Sequence, residues 1–198
     1  MTSSETDQWL VVFFSWSAAA MGALSFVVPS GYSIGAVLLL IGSAATLITR
    51  GIPEMDRVAW LTAAIMSIYT IYWITSAALR GADLSELDQP SRMLLAAPVL
   101  IATARFGLSW LIIWMGIACG GLVLGVVGGY EILSEVKGRA SGFIGPEHFG
   151  NLSVLFATMS IVGFAWVTAT HQHFIYKLVL VLGALGGLAG SATSGTRA

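Results

Sequence analysis

The chain has 198 residues, of which 57% are hydrophobic and 10% charged, and its formal net charge is -1. Soluble domains carry about 25% charged residues, so this composition excludes a soluble enzyme domain and a disordered tail. The single cysteine excludes a disulfide scaffold, and the balanced charge leaves no broad electrostatic footprint for nucleic acid. An integral membrane protein remains.

A helix that crosses the hydrocarbon core needs about 20 mostly apolar residues. The first such run is Trp9 to Val28, stopped by Pro29-Ser30-Gly31. The second is Tyr32 to Thr49, stopped by Arg50-Gly51-Ile52-Pro53. The third is Val58 to Leu79, between Arg57 and Arg80. After the polar segment Gly81 to Arg92 comes a shorter fourth, Ser91 to Ala104, which Arg105 interrupts. The fifth is Phe106 to Gly129, the sixth Phe149 to Ala169 and the seventh Phe174 to Ala192. Barrel strands alternate in polarity every second residue over about 10 residues; Leu38-Leu39-Leu40-Ile41 and Leu178-Val179-Leu180-Val181 do not. The expectation is an all-α, polytopic integral membrane protein with about seven transmembrane helices in one transmembrane domain, residues 1–198. A signal peptide needs a positive n-region and a cleavage site. Met1 to Gln8 has no Lys or Arg, so the first span reads as a permanent anchor.

Alternation puts Arg50, Arg57, Arg105 and Lys177 on the side of the N-terminus and Arg80, Arg92, Lys137, Arg139 and Arg197 on the other. Counted by the positive-inside rule, four against five does not orient the chain. Glycines recur at every fourth position in Gly121, Gly125 and Gly129, in Gly183 with Gly187, and in Gly186 with Gly190. That spacing lets helix backbones approach closely. Trp16, Trp73, Trp110, Trp114 and Trp166 lie deep in the spans and read as packing residues, as does Cys119 in its apolar run.

Three polar segments fall on one side of the alternating topology. In the first, Asp88 is placed to cap the fourth helix, Pro90 suits its first turn, and Arg92 stands four residues after Asp88, where an ion pair forms. In the second, glycine-flanked Arg139 reads as a turn with an exposed guanidinium, and His148 as a solvated residue at the start of the sixth span. The third, Ser191 to Ala198, offers hydroxyls and Arg197 to an anion, or is a frayed terminus. His171-Gln172-His173 lacks a third metal ligand and reads as a solvated connection. The sequence holds no phosphate loop, dinucleotide fingerprint, nucleophile elbow or zinc-protease motif.

Three stretches, in order, resemble the bacterial O-antigen ligase family, which includes related O-antigen polymerases. They are Leu87-Asp88-Gln89-Pro90-Ser91-Arg92 leading into Met93 to Pro98, Gly138-Arg139-Ala140-Ser141-Gly142-Phe143 leading into His148-Phe149-Gly150-Asn151, and Ser194-Gly195-Thr196-Arg197-Ala198. The last departs from the family's Ser-x-Ser-Arg-Gly pattern, with Thr196 for the second Ser and Ala198 for the Gly. Family members have about a dozen spans and a large periplasmic loop that carries the histidine regarded as catalytic base. The resemblance therefore implies an N-terminal portion of a larger helical glycosyltransferase-like bundle, with no catalytic residue in this chain.

It also implies an inverting, metal-independent and cofactor-free transfer of O-antigen glycan from undecaprenyl diphosphate to the lipid A–core acceptor, at the periplasmic face of the bacterial inner membrane. Its partners would be that lipid-linked glycan, the acceptor and the bilayer, with no nucleic acid. Arg139, Arg197 and Arg92 become candidates for binding the lipid diphosphate, Arg92 the more structural of the three. The alternatives are an O-antigen polymerase, disfavoured because the segment from Asp88 to Pro98 looks more like ligases, and a non-enzymatic small transporter or inert fragment. Coupled transport needs ionisable groups inside the membrane, which these span interiors lack.

The topology is testable by labelling. After Cys119 is replaced, a cysteine introduced beside Arg139 should react with an impermeant thiol reagent while the inner membrane is intact. A cysteine beside Arg105 should react only once that membrane is opened. The reverse pattern overturns the orientation.

Overall fold

A computed structural model describes residues 3–24, 31–52, 54–55, 57–81, 88–134, 139–143 and 145–195, with 3–6, 32 and 88–93 described by backbone alone. Among the described residues there are seven helices and no strand: α1 Ser3–Leu24, α2 Gly31–Arg50, α3 Arg57–Arg80, α4 Asp88–Phe106, α5 Trp110–Leu133, α6 Pro146–Ala169 and α7 Phe174–Ser194. Five of them, α2, α3, α5, α6 and α7, are long and apolar enough to cross a membrane, and α4 carries a shorter apolar stretch, Leu94–Phe106. Ile68 and Ile71 of α3 are 65% and 61% exposed. Such continuous apolar surface is stable against acyl chains and not against water. The protein is a helical membrane protein.

Most ends fall within a few residues of the apolar runs, with two differences. α1 starts at Ser3 rather than Trp9, because helix geometry continues into the acidic segment, where carboxylates near an N-terminus favour the helix dipole. The stop expected at Pro29-Ser30 lies outside the described residues. The second difference is at Arg105, where hydropathy ends the fourth span at Ala104 and begins the fifth at Phe106. A long side chain at a helix end carries its charge to the interface without breaking the backbone, so α4 runs through Arg105 to Phe106. The break falls at Gly107, whose φ of 74° is open to glycine at little cost and whose N–H donates to the Thr103 carbonyl at 2.8 Å.

The helices group into two compact units, with the division falling inside α1 and α2: residues 1–14 with 37–108, and residues 15–36 with 109–198. In the first, α3 packs on α4. The buried residues of α3 are Ala63, Thr70 and Ala77, one small residue every seven, so α3 meets its neighbours along a narrow line. Thr70 turns its hydroxyl back to the Met66 carbonyl at 2.9 Å, a bond that hydroxyls in helices commonly make.

In the second unit α7 lies against both α5 and α6. The approach is backbone to backbone. A Cβ on Gly183 would stand 2.6 Å from Ala118 Cα, one on Gly186 2.6 Å from the Gly121 carbonyl oxygen, and one on Gly187 2.6 Å from the Ser153 carbonyl oxygen. Ser153 and Ser160, fully buried on α6, donate to the Phe149 and Phe156 carbonyls at 2.7 and 2.8 Å. Around this seam Trp114, Ala118, Val167 and Leu180 form one core and Leu124, Ala140 and Phe149 another. Trp114 is packed as expected, whereas Trp16 and Trp110 are 62% and 56% exposed. Cys119 is also exposed, not packed. Amphipathic rings and a small thiol are tolerated on a lipid-facing surface, where burial inside the protein brings no hydrophobic gain.

The seam predicts opposite responses at two glycines of similar sequence context. Gly183→Ala forces a methyl into the α5 backbone and should cost about 1–3 kcal/mol. Gly129 has nothing within 4 Å of its added Cβ, so Gly129→Ala should be neutral or stabilising by up to about 1 kcal/mol. Thermal unfolding of the two variants in one detergent separates them.

Candidate functional site

The last four carbonyls of an α-helix have no donor within the helix. In α7 those belong to Ser191, Ala192, Thr193 and Ser194, and each finds one. Ser194 Oγ donates to the Ser191 carbonyl at 2.7 Å, and the Gly195 N–H to the Ala192 carbonyl at 3.3 Å. The other two donors come from the connection between α5 and α6: the Ala140 N–H reaches the Thr193 carbonyl at 3.0 Å, and Arg139 Nε reaches the Ser194 carbonyl at 2.8 Å. The connection is thereby fastened to the end of α7.

Its other fastening is Glu131, in the last turn of α5. A carboxylate there faces the negative end of the helix dipole and needs compensation. Glu131 Oε2 accepts the N–H groups of Ser141 and Gly142 at 2.6 and 3.1 Å. Two successive amides on one oxygen form a small anion-binding nest, here filled by the protein's own carboxylate. Gly142 has a φ of 50°, and a Cβ on it would stand 3.1 Å from the Phe149 ring, so the position takes glycine for both conformation and space. Ala140 and Phe149 are fully buried under the turn.

The consequence for Arg139 is direct. Ala140 points into the core and its neighbour Arg139 points out and is exposed. Its Nε edge is committed to α7. The terminal nitrogens lie beyond that bond, and among the described residues Arg139 has no ion pair. A guanidinium offers five N–H donors in a rigid fork, so one edge can fasten the turn while the other meets an anion. Expected as an exposed guanidinium in a glycine-flanked turn, Arg139 is exposed and also caps a helix.

Of the other site residues read from the sequence, Arg197 lies outside the described residues. Arg92 sits in the first turns of α4, in the first compact unit, with its side chain outside the described part, as is that of Asp88. Arg139 therefore stands as the described member of the three. His148 is exposed in the first turn of α6. His171 adopts a φ of 52° after α6, and His173 caps α7 by accepting from the Ile175 N–H at 3.4 Å. Among the described residues no three His, Cys, Asp or Glu side chains converge on a metal position.

Glu131 is the site residue that sequence reading passed over. Its signal was positional: a carboxylate at the wrong end of a helix, followed ten residues later by a small Ser-Gly pair able to present two amides.

The fold and this capped turn describe a helical membrane protein with an exposed arginine held at the end of α7. No protein-family model, characterised protein or solved structure matches the chain.

Glu131→Ala would strand the Ser141 and Gly142 amides at about 1–3 kcal/mol. Hydrogen exchange of residues 139–143 should rise about five- to a hundredfold by the corresponding Boltzmann factor, while exchange at the α6 centre stays unchanged. Unchanged exchange in the turn would show that Glu131 does not hold it.

Proposed function

We propose that the protein belongs to the machinery of membrane glycosyl transfer from a lipid diphosphate, acting as an O-antigen ligase-like, inverting and metal-independent enzyme. In this reading a glycan leaves undecaprenyl diphosphate for a lipid A–core hydroxyl at the periplasmic face of the bacterial inner membrane. The observation that carries it is Arg139, whose Nε is bound to Ser194 while the residue stays exposed in a turn whose sequence resembles the family's second motif. The motif order from Asp88 through Arg139 to Arg197 adds support.

The chemistry asks little more of this part of the chain. The acceptor hydroxyl loses a proton and its oxygen bonds to the anomeric carbon. The bond from that carbon to the phosphate oxygen breaks, and the lipid diphosphate leaves with the electron pair and an added negative charge. A fixed cation aimed at that charge lowers the transition state more than the ground state. Arginine suits the task because its charge persists and its fork matches phosphate oxygens. Anchoring through Nε pre-orients the fork, so less rotamer entropy is lost when the diphosphate arrives. Arg197 completes the clamp in this reading, and Arg92 supports the start of α4. The catalytic base is not assigned to any residue of this chain.

Arg139→Ala should lower turnover about ten- to a hundredfold, through loss of a charge-assisted bond worth roughly 1.5–3 kcal/mol. Arg139→Lys keeps the charge and loses the fork, and should recover part of it. Turnover is measured on purified variants at equal concentration with a lipid-diphosphate donor. Normal turnover per molecule with lowered yield would reduce Arg139 to its helix-capping role and remove the clamp.

A further inference from the structure

In the first compact unit, at the end where α1 begins and α2 and α4 finish, two arginines share one aromatic ring. The guanidinium carbons of Arg50 and Arg105 each lie 5.4 Å from the Phe106 centroid, within the range of a cation–π contact. Phe106 itself stacks on Phe14, with centroids 6.5 Å apart and planes 16° from parallel. Two like charges at one ring repel, and the pair is only half compensated. Arg50 is ion-paired with Asp7. Arg105 Nη1 has only a long 3.3 Å bond, to the Arg50 carbonyl at the end of α2. Among the described residues Arg105 has no carboxylate partner, and it is exposed. Glu54, in the connection after α2, is also exposed, and no ion pair joins it to Arg105.

The surroundings say what kind of anion fits. Ile48 and Ile52, on either side of Arg50 in sequence, are 83% and 65% exposed. Trp9 and Trp60, close to the starts of α1 and α3, are 65% and 47% exposed, and indole rings settle at the headgroup level. A soluble anion has no use for that apolar skirt. A phospholipid places a phosphate directly above acyl chains, and basic pockets between helix ends are where anionic headgroups collect.

We propose that Arg105, backed by Arg50 across the Phe106 ring, binds the phosphate of an anionic phospholipid headgroup at this end of the first unit. The site is independent of the proposed transfer chemistry, and its test does not use turnover.

The full chain is purified in detergent and titrated with phosphatidylglycerol or phosphatidylcholine, and bound lipid is counted by native mass spectrometry. Phosphatidylglycerol should bind more tightly than phosphatidylcholine. Arg105→Gln should weaken it about three- to tenfold, the scale of one arginine at a charged lipid surface. Arg80→Gln removes the same charge at the opposite end of α3 and should leave the affinity unchanged. Arg105→Lys keeps the charge, guards against a folding artefact, and should fall between wild type and Arg105→Gln; the melting temperature of each variant is measured alongside. Equal binding of the two lipids, equal weakening by Arg80→Gln and Arg105→Gln, or wild-type affinity in both Arg105 variants overturns the proposal. So does full displacement of phosphatidylglycerol by millimolar inorganic phosphate, which would make the ligand a soluble anion.

Discussion

The close approach of α7 to α5 and α6 is the constraint on which the rest of the second unit depends. Lipid tails are as apolar as leucine, so no hydrophobic gain draws membrane helices together. Association rests on van der Waals fit and on polar contacts between backbones. Gly183 and Gly186 bring α7 onto the Ala118–Gly121 stretch, and Gly187 brings it onto Ser153 and Ala157 of α6. A Cβ at any of these would stand 2.6 Å from a facing backbone atom, so the helices would have to move apart. The end of α7 then falls within reach of the α5–α6 connection. The bonds from Ala140 and Arg139 to Thr193 and Ser194 depend on that approach.

The same constraint accounts for how polar atoms are disposed. Buried Ser153, Ser160 and Thr70 return their hydroxyls to carbonyls of their own helices. Ser153 and Ser160 fill small spaces on α6 in this way. Most polar groups that join one segment to another stand at helix ends; the buried Ser15 hydroxyl, inside α1, is an exception and accepts the Ser109 N–H at 2.7 Å. Glu131 holds two amides, Arg139 holds a carbonyl, and in the first unit Arg105 reaches the Arg50 carbonyl. Helix ends carry the unsatisfied backbone groups, and water there moderates the cost of charge.

The helices were legible in the sequence because apolar length is a strong signal when the solvent is lipid. Their ends were less so. Arg105 looked like a boundary because hydropathy weighs the side chain, whereas the helix ends where the backbone can turn, at Gly107. The seam was legible as four-residue glycine spacing, although Gly129 shares the spacing and meets nothing. Spacing gives a face but not whether a neighbour lies on it. Trp16 and Cys119 failed as core residues for a related reason: in a membrane protein apolar character does not separate inside from outside. At the site, the exposure of Arg139 was legible from its flanking glycines. Its bond to Ser194 was not, because 55 residues separate the two and only tertiary packing brings them together.

That bond changes what an arginine in such a turn is able to do. A guanidinium on a free loop samples many rotamers, and meeting an anion costs it side-chain entropy of up to about 2 kcal/mol. Arg139 has met much of that cost in folding, through a bond that also completes the end of α7. The positive charge at a helix C-terminus is stabilised by the dipole, and among the described residues no carboxylate neutralises it. Glu131, the nearby acid in sequence, gives its Oε2 to the turn's amides instead. The division of labour keeps one charge structural and leaves the other exposed, the electrostatic condition on which the proposed phosphate contact rests. An ion pair between the two would neutralise the guanidinium on which that contact rests.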